Sequence, residues 1–201
     1  DAAIVNALVR QALIASEEVM GENGLNIVLK SANLERFIGN YPPDNLDAGI
    51  KTVEYSRLNQ AIEDFYGRGG RGILKRIGKA SFQYGLNEQP ALMGLAGIAL
   101  KALPHKQRIK FVLSSVADAL KKTNPQVNAW VDEEADTIFF AEDTCGICHS
   151  RTSDKPICYL MVGSLTEAVL WATGGTYDIR ETQCMAMGAE CCRFEVGQRL
   201  D

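Results

Sequence analysis

Up to Lys122 the apolar side chains of this chain recur at helical spacing; beyond it the period shortens to two, before one more helix and a β-prone closing pair. Ala2 to Met20 is apolar on most of its circumference, with Ile4, Val5, Leu8, Val9, Leu13 and Ile14 broken by Asn6, Arg10 and Gln11. This predicts a helix that needs burial on two sides and that the polar breaks keep from being a membrane span. A second subunit, making a homodimer, or a central place in the core would each supply that burial. Leu25 to Lys30 and Leu34 to Ile38 read as short helical turns, stopped by Asn40 and Tyr41-Pro42-Pro43-Asp44-Asn45. A helix from about Tyr55 to Gly67 places Leu58, Ala61, Ile62 and Phe65 on one face, and another runs from Ile73 to Tyr84. Pro90 to Leu103 is rich in Ala and Gly beside Leu92, Met93, Leu95 and Ile98, so it packs closely or leaves room for a guest. His105 to Lys122 is the clearest amphipathic helix, with Ile109, Val112, Leu113, Val116 and Leu120 opposite Lys106, Lys110, Ser114 and Asp118.

Val127 to Val131 and Thr137 to Ala141 then read as two strands around the acidic turn Asp132 to Asp136. Cys158 to Gly174 has Met161, Val162, Leu165, Val169 and Ala172 at helical spacing and Gly174-Gly175 as its stop, so Cys158 opens a helix. The segments on either side of Gly188 are short and β-prone, which predicts a hairpin with Cys184 and Cys192 as cross-strand neighbours. The fold class that follows is α+β, a helical layer on an antiparallel sheet, in one domain over residues 1–201.

Charge changes the picture by exclusion: a net charge of -4 does not suit a nucleic-acid-binding surface, whose footprint is basic. Gly67-Arg68-Gly69-Gly70-Arg71-Gly72 matches G-x-G-x-x-G only formally, because it follows a helix and lacks the Lys-Ser/Thr of a phosphate loop. It reads as a joint between helices. The chain begins at Asp1 rather than Met, from which we expect processing or trimming.

All six cysteines lie between 145 and 192, a clustering that favours metal over a disulfide framework and fits a reducing, cytoplasmic setting. Four candidate ligands follow the spacing Cys158-x22-Glu181-x2-Cys184-x7-Cys192. Three thiolates and a carboxylate suit structural Zn2+, and the Glu181-x2-Cys184 step breaks strand alternation, as it must if both side chains turn to one point. The competing account is a Cys184–Cys192 disulfide across the hairpin with Cys158 a buried thiol. Cys191 is the rival ligand to Cys192, but alternation groups Cys192 with Phe194 and Val196 on the inner face.

The run Glu181-Thr-Gln-Cys-Met-Ala-Met-Gly-Ala-Glu-Cys-Cys-Arg-Phe-Glu-Val196, with the helix before it, resembles the closing signature of the 4-vinyl-reductase domain family. That resemblance implies a fold shared with TRAPP vesicle-tethering subunits and a domain enclosing a small molecule. It also implies a role near the 4-vinyl reduction of bacteriochlorophyll synthesis, or kinship with the sensory domains of aromatic-responsive activators. In the phenol-type sensors Cys, Glu, Cys and Cys hold a structural zinc, a pattern falling on Cys158, Glu181, Cys184 and Cys192. Those sensors also use a His and a Trp upstream, which points to His105 and Trp130 as ligand contacts.

Cys145-Gly-Ile-Cys-His149 matches the C-x-x-C-H motif of covalent haem c attachment. Ranked by what else the motif does, Cys145 and Cys148 are first a redox-sensitive or structural dithiol, second a contribution with His149 to another metal or iron–sulfur site, and last a haem site. Two functions from different classes follow. One is a zinc-stabilised module that binds a tetrapyrrole or other apolar aromatic ligand, an accessory or carrier in (bacterio)chlorophyll synthesis. The other is a 4-vinyl reductase, for which the chain offers no dinucleotide fingerprint. The expected ligand site is an apolar cavity of roughly 300 Å³ or more between the 90–103 helix and the aromatic strands.

Overall fold

The computed structural model describes residues 3–90, 100–124 and 126–201. A short strand β1 (Ala3–Val5) leads directly into α1 (Asn6–Ser31), and β1 pairs antiparallel with β2 (Ala48–Lys51) through Ile4 and Ile50. The helix expected over 2–20 thus starts at Asn6, because Ile4 and Val5 bury as a strand. It continues past its predicted end through a kink at Gly21 (φ 75°), and the turn expected at 25–30 is its second half, burying Leu25, Val28 and Leu29. Its apolar circumference is buried within the chain itself, which is the central-core alternative rather than a second subunit.

After α2 (Thr52–Tyr66) the Gly67–Gly69 segment is a single 3-10 turn that feeds straight into α3 (Gly70–Glu88). That arrangement bears out the reading of 67–72 as a joint between helices. Leu58, Ala61 and Ile62 are buried as their spacing required, but Phe65 is 46% exposed and does not belong to that face. Its ring stacks edge-on with Tyr66 at a centroid distance of 4.9 Å. Most of the small-residue stretch 90–103 lies outside the described residues; Leu100–Ala102 is a 3-10 turn before α4 (His105–Thr123).

The sheet is four-stranded and antiparallel in the order β3-β4-β6-β5, with β3 (Ala129–Glu134), β4 (Thr137–Glu142), β5 (Tyr177–Gln183) and β6 (Cys192–Arg199). The acidic residues expected in a turn continue β3 as far as Glu134, and the chain reverses at Ala135 and Asp136, both at positive φ. Cations facing those acids allow this. Arg193 donates to Asp132 at 2.9 Å and to Glu134 at 2.6 Å, and Lys106 and Lys110 of α4 pair with Glu133. Phe140 and Phe194 pair across β4 and β6 as the fully buried centre of the inner face, while Phe139 lies under the Arg193 guanidinium at 3.9 Å.

Helix α5 (Tyr159–Thr173) packs against α3, α4 and β5, and so joins the helical layer to the sheet. It is apolar nearly all round, in keeping with burial on several sides, and ends at Gly174 in the left-handed conformation (φ 73°) that suits glycine. No helix among the described residues is long and apolar enough to cross a membrane.

Candidate metal centre and ligand cavity

The β5–β6 hairpin brings the last three predicted ligands together by local geometry. Glu181 lies opposite Phe194 and Gln183 opposite Arg193, so two steps on β5 answer one on β6. This bulge delivers the irregularity that the Glu181-x2-Cys184 spacing required. A 3-10 turn over Met185–Met187 and Gly188 (φ 89°) then return the chain to Cys192, which is buried with Phe194 and Val196, whereas Cys191 is half-exposed with its thiol 3.7 Å from Gln183 Oε1. Cys158 arrives from the other side as the N-cap residue of α5.

Glu181 sits between these pieces. Its Oε2 accepts the backbone N–H of Cys158 at 2.8 Å, while Oε1 is buried and has no hydrogen-bond partner among the described residues. Burial pushes its carboxyl up to about 8, well above the ordinary carboxylate range. An orphaned carboxylate oxygen beside three buried thiols is the arrangement a cation would complete. The backbone N–H of Met185 also points at Cys192 Sγ at 3.4 Å, a donor of the kind that supports an anionic sulfur.

The loop after β4 adds two more thiols. Cys145 Sγ lies 3.5 Å from Cys158 Sγ, Cys148 Sγ lies 3.5 Å from Cys192 Sγ, and Cys158 and Cys192 are themselves 3.7 Å apart. Two donor sets result, Cys158-Glu181-Cys184-Cys192 and Cys145-Cys148-Cys158-Cys192, each with its ligand atoms within 4.8 Å of one another. All five of these thiols are buried and unbridged. Hydrogen bonding within the cluster, first with Cys145, holds Cys148 below the ordinary thiol range, and the same contacts hold Cys145, Cys158 and Cys192 above it. His149 is half-buried and belongs to neither donor set.

A separate cavity of about 100 Å³ lies where the N-terminal segment meets the other helices. Ile4, Leu8 and Gln11 form one wall, Phe82 of α3 and Val116, Ala119 and Leu120 of α4 another, and Leu160, Met161 and Ser164 of α5 a third. Gln11 is fixed by donating to Ser81 O at 2.6 Å and to Ser81 Oγ at 2.9 Å. Glu142, the last residue of β4, also lines the cavity; it is 2% exposed, and its Oε1 has no partner among the described residues. Burial raises its carboxyl to about 8. The volume is smaller than the roughly 300 Å³ expected for such a site, and the 90–103 wall proposed for it falls largely outside the described residues.

Neither ligand contact suggested by resemblance lines this cavity. Trp130 Nε1 donates to Asp132 Oδ2 at 3.2 Å, and His105 Nδ1 lies 3.5 Å from the Tyr177 hydroxyl. Sequence reasoning missed Glu142; its one signal is a carboxylate at the inward end of the strand Thr-Ile-Phe-Phe-Ala-Glu. The joining of Cys145 and Cys148 to the predicted ligands has no local signal beyond the C-x-x-C spacing.

Residues 140–198 match the family model of the 4-vinyl-reductase domain. That segment belongs to the 4-vinyl-reductase domain family. It spans β4, both cysteine pairs, α5 and the closing hairpin, so the donor cluster lies wholly inside it. No curated protein matches the sequence. Solved H-NOX structures share its fold over nearly the whole chain. An Fe(II) unliganded H-NOX mutant from K. algicida is 12% identical with a TM-score of 0.60, covering 98% of this chain and 97% of that one. An H-NOX mutant from T. tengcongensis is 14% identical with a TM-score of 0.59, covering 96% of each. A third, described by the modulation of heme redox potential through porphyrin distortion, is 13% identical with a TM-score of 0.58, covering 97% and 100%. Likeness at this identity establishes the shared α+β fold.

Proposed function

We propose that this chain is a zinc-stabilised domain of the 4-vinyl-reductase family that binds a small apolar aromatic ligand in the cavity bordered by α1, α3, α4 and α5. The observation that carries the reading is Glu142: a buried carboxyl with a free oxygen on an otherwise largely apolar cavity wall is a hydrogen-bonding handle for a guest. The metal half of the reading is supported by the buried set Cys158, Glu181, Cys184 and Cys192 and by the unpartnered Glu181 Oε1. With four protein ligands and no place for water, the ion holds helix to hairpin rather than activating a substrate.

Size favours a single ring, since a cavity of roughly 150 Å³ takes benzene. A tetrapyrrole, and with it an accessory or carrier role in (bacterio)chlorophyll synthesis, is the second reading. It is supported by the H-NOX neighbours described by heme and requires the cavity walls to part. A reductase would need an electron source bound elsewhere, so we expect binding without turnover.

Calorimetric titration with phenol and other single-ring compounds, and in parallel with haem and protoporphyrin, tests this. Phe82 lines the cavity and its ring lies 6.4 Å from that of Trp171, so indole fluorescence provides a second signal. Saturable one-to-one binding is expected. Absence of binding by every compound of both classes overturns the ligand reading, and conversion of a divinyl tetrapyrrole with a reduced donor overturns binding without turnover.

A further inference from the structure

The two donor sets overlap in a particular way. Cys158 and Cys192 belong to both, Cys145 and Cys148 only to one, Glu181 and Cys184 only to the other. Two tetrahedra that share an edge have this connectivity. A zinc–sulfur bond of about 2.3 Å gives a tetrahedron edge of about 3.8 Å between sulfurs. The shared pair, Cys158 Sγ and Cys192 Sγ, is 3.7 Å apart, and the two sulfurs that reach it from the β4–α5 loop are each 3.5 Å from a member of that pair. A disulfide would bring a pair to about 2 Å. An iron–sulfur cube places its own core between the cysteines and so spreads their sulfurs well beyond the 4.8 Å that contains each set here.

We propose that Cys145, Cys148, Cys158, Glu181, Cys184 and Cys192 hold two zinc-class divalent ions that share the Cys158 and Cys192 thiolates. The inference rests on the zinc reading of the hairpin site and adds a second ion to it. One ion alone leaves part of the cluster unexplained. Placed among Cys145, Cys148, Cys158 and Cys192, it strands the buried Glu181 Oε1 without a partner. Placed among Cys158, Glu181, Cys184 and Cys192, it leaves the Cys145 and Cys148 thiols at ligand-edge distance from bound sulfurs with no cation of their own. Two ions satisfy all six groups, because a thiolate has lone pairs for two metals, the bonding used by Zn2Cys6 modules. Here one of the six thiolates is replaced by the Glu181 carboxylate, whose Oε2 is held by the Cys158 N–H and whose Oε1 is left to bind metal.

Metal analysis of the chain purified under reducing conditions with zinc should give two ions per chain. Cys145→Ser and Cys148→Ser should each lower this to one and leave the β5–β6 hairpin folded. Cobalt(II) titration of the wild-type apoprotein needs no variant: thiolate-to-cobalt absorption should keep rising to two equivalents, and the spin signal should weaken as the second ion couples to the first through the bridging sulfurs. One equivalent in the wild type, unchanged in Cys145→Ser, overturns the proposal and leaves the single-zinc reading standing. No bound metal in any preparation overturns both.

Discussion

Gly78 and Gly163 face each other where α3 crosses α5, so closely that a Cβ on Gly78 would sit 2.0 Å from Leu160 O and a Cβ on Gly163 would sit 2.0 Å from Lys75 O. Backbone meets backbone there, and no flexible side chain can yield. Gly163→Ala gains up to about 1 kcal/mol of helix propensity but forces the helices apart, for which overpacking costs of about 1–3 kcal/mol or more are typical. We expect net destabilisation of about 2 kcal/mol in urea unfolding. Gly72→Ala is the control: nothing lies within 4 Å of its added Cβ, so it should be neutral or stabilising by up to about 1 kcal/mol.

Cys184→Ala removes a buried donor from the hairpin site and should lower zinc content and destabilise the hairpin by several kcal/mol, since ligand binding is folding energy in such sites. Cys191→Ala, one position outside the inner face, should change neither. Metal analysis and hydrogen exchange of the β5–β6 amides check both, and full zinc retention by Cys184→Ala would show that another residue is the ligand.

Arg151 ties the loop that carries Cys145 and Cys148 to α2, with Nη2 2.8 Å from Glu63 Oε2 and both side chains largely buried. Arg151→Met leaves Glu63 without that partner, and a loss of about 1–3 kcal/mol is expected. Double-mutant analysis with Glu63→Gln should return coupling of at least about 1 kcal/mol; simple additivity would mean that the pair contributes nothing.

Ala119 borders the cavity from α4. Ala119→Leu adds three carbons to a space of about 100 Å³ and should abolish binding of single-ring ligands while preserving the helical circular dichroism. Unchanged affinity would place the ligand elsewhere.

Lys106 and Lys110 hold the Glu133 carboxyl down to about 2, below its unfolded range. A depressed carboxyl contributes stability that is present above the unfolded pKa and is lost as pH falls through the folded one, here between about 4.5 and 2. Glu133→Gln should therefore remove a shallow part of the acid limb. The pair is exposed, so the difference between wild type and variant should shrink in about 1 M salt. Taking that difference also cancels any loss of metal common to both.

Local periodicity was enough for some of this molecule. The α4 helix, the start of α5 at Cys158, its stop at Gly174 and the bulged hairpin carrying Glu181, Cys184 and Cys192 all rest on interactions within a few residues of chain, which spacing records directly. The burial of Cys192 rather than Cys191 follows from the same two-residue alternation. Tertiary structure decided what periodicity cannot encode, namely which apolar face meets which. The all-round apolar α1 was compatible with a second subunit until the other helices were seen to cover it. The Gly78–Gly163 crossing joins residues far apart in sequence, and nothing near either glycine announces the other. Cys145 and Cys148 look like a self-contained C-x-x-C motif, yet their sulfurs reach Cys158 and Cys192 only because β4 pairs with β6 and α5 folds back over the loop. A spacing motif names residues that are chemically able to act; long-range packing chooses the partners with which they act, because burial energy depends on surfaces brought together and not on their order along the chain.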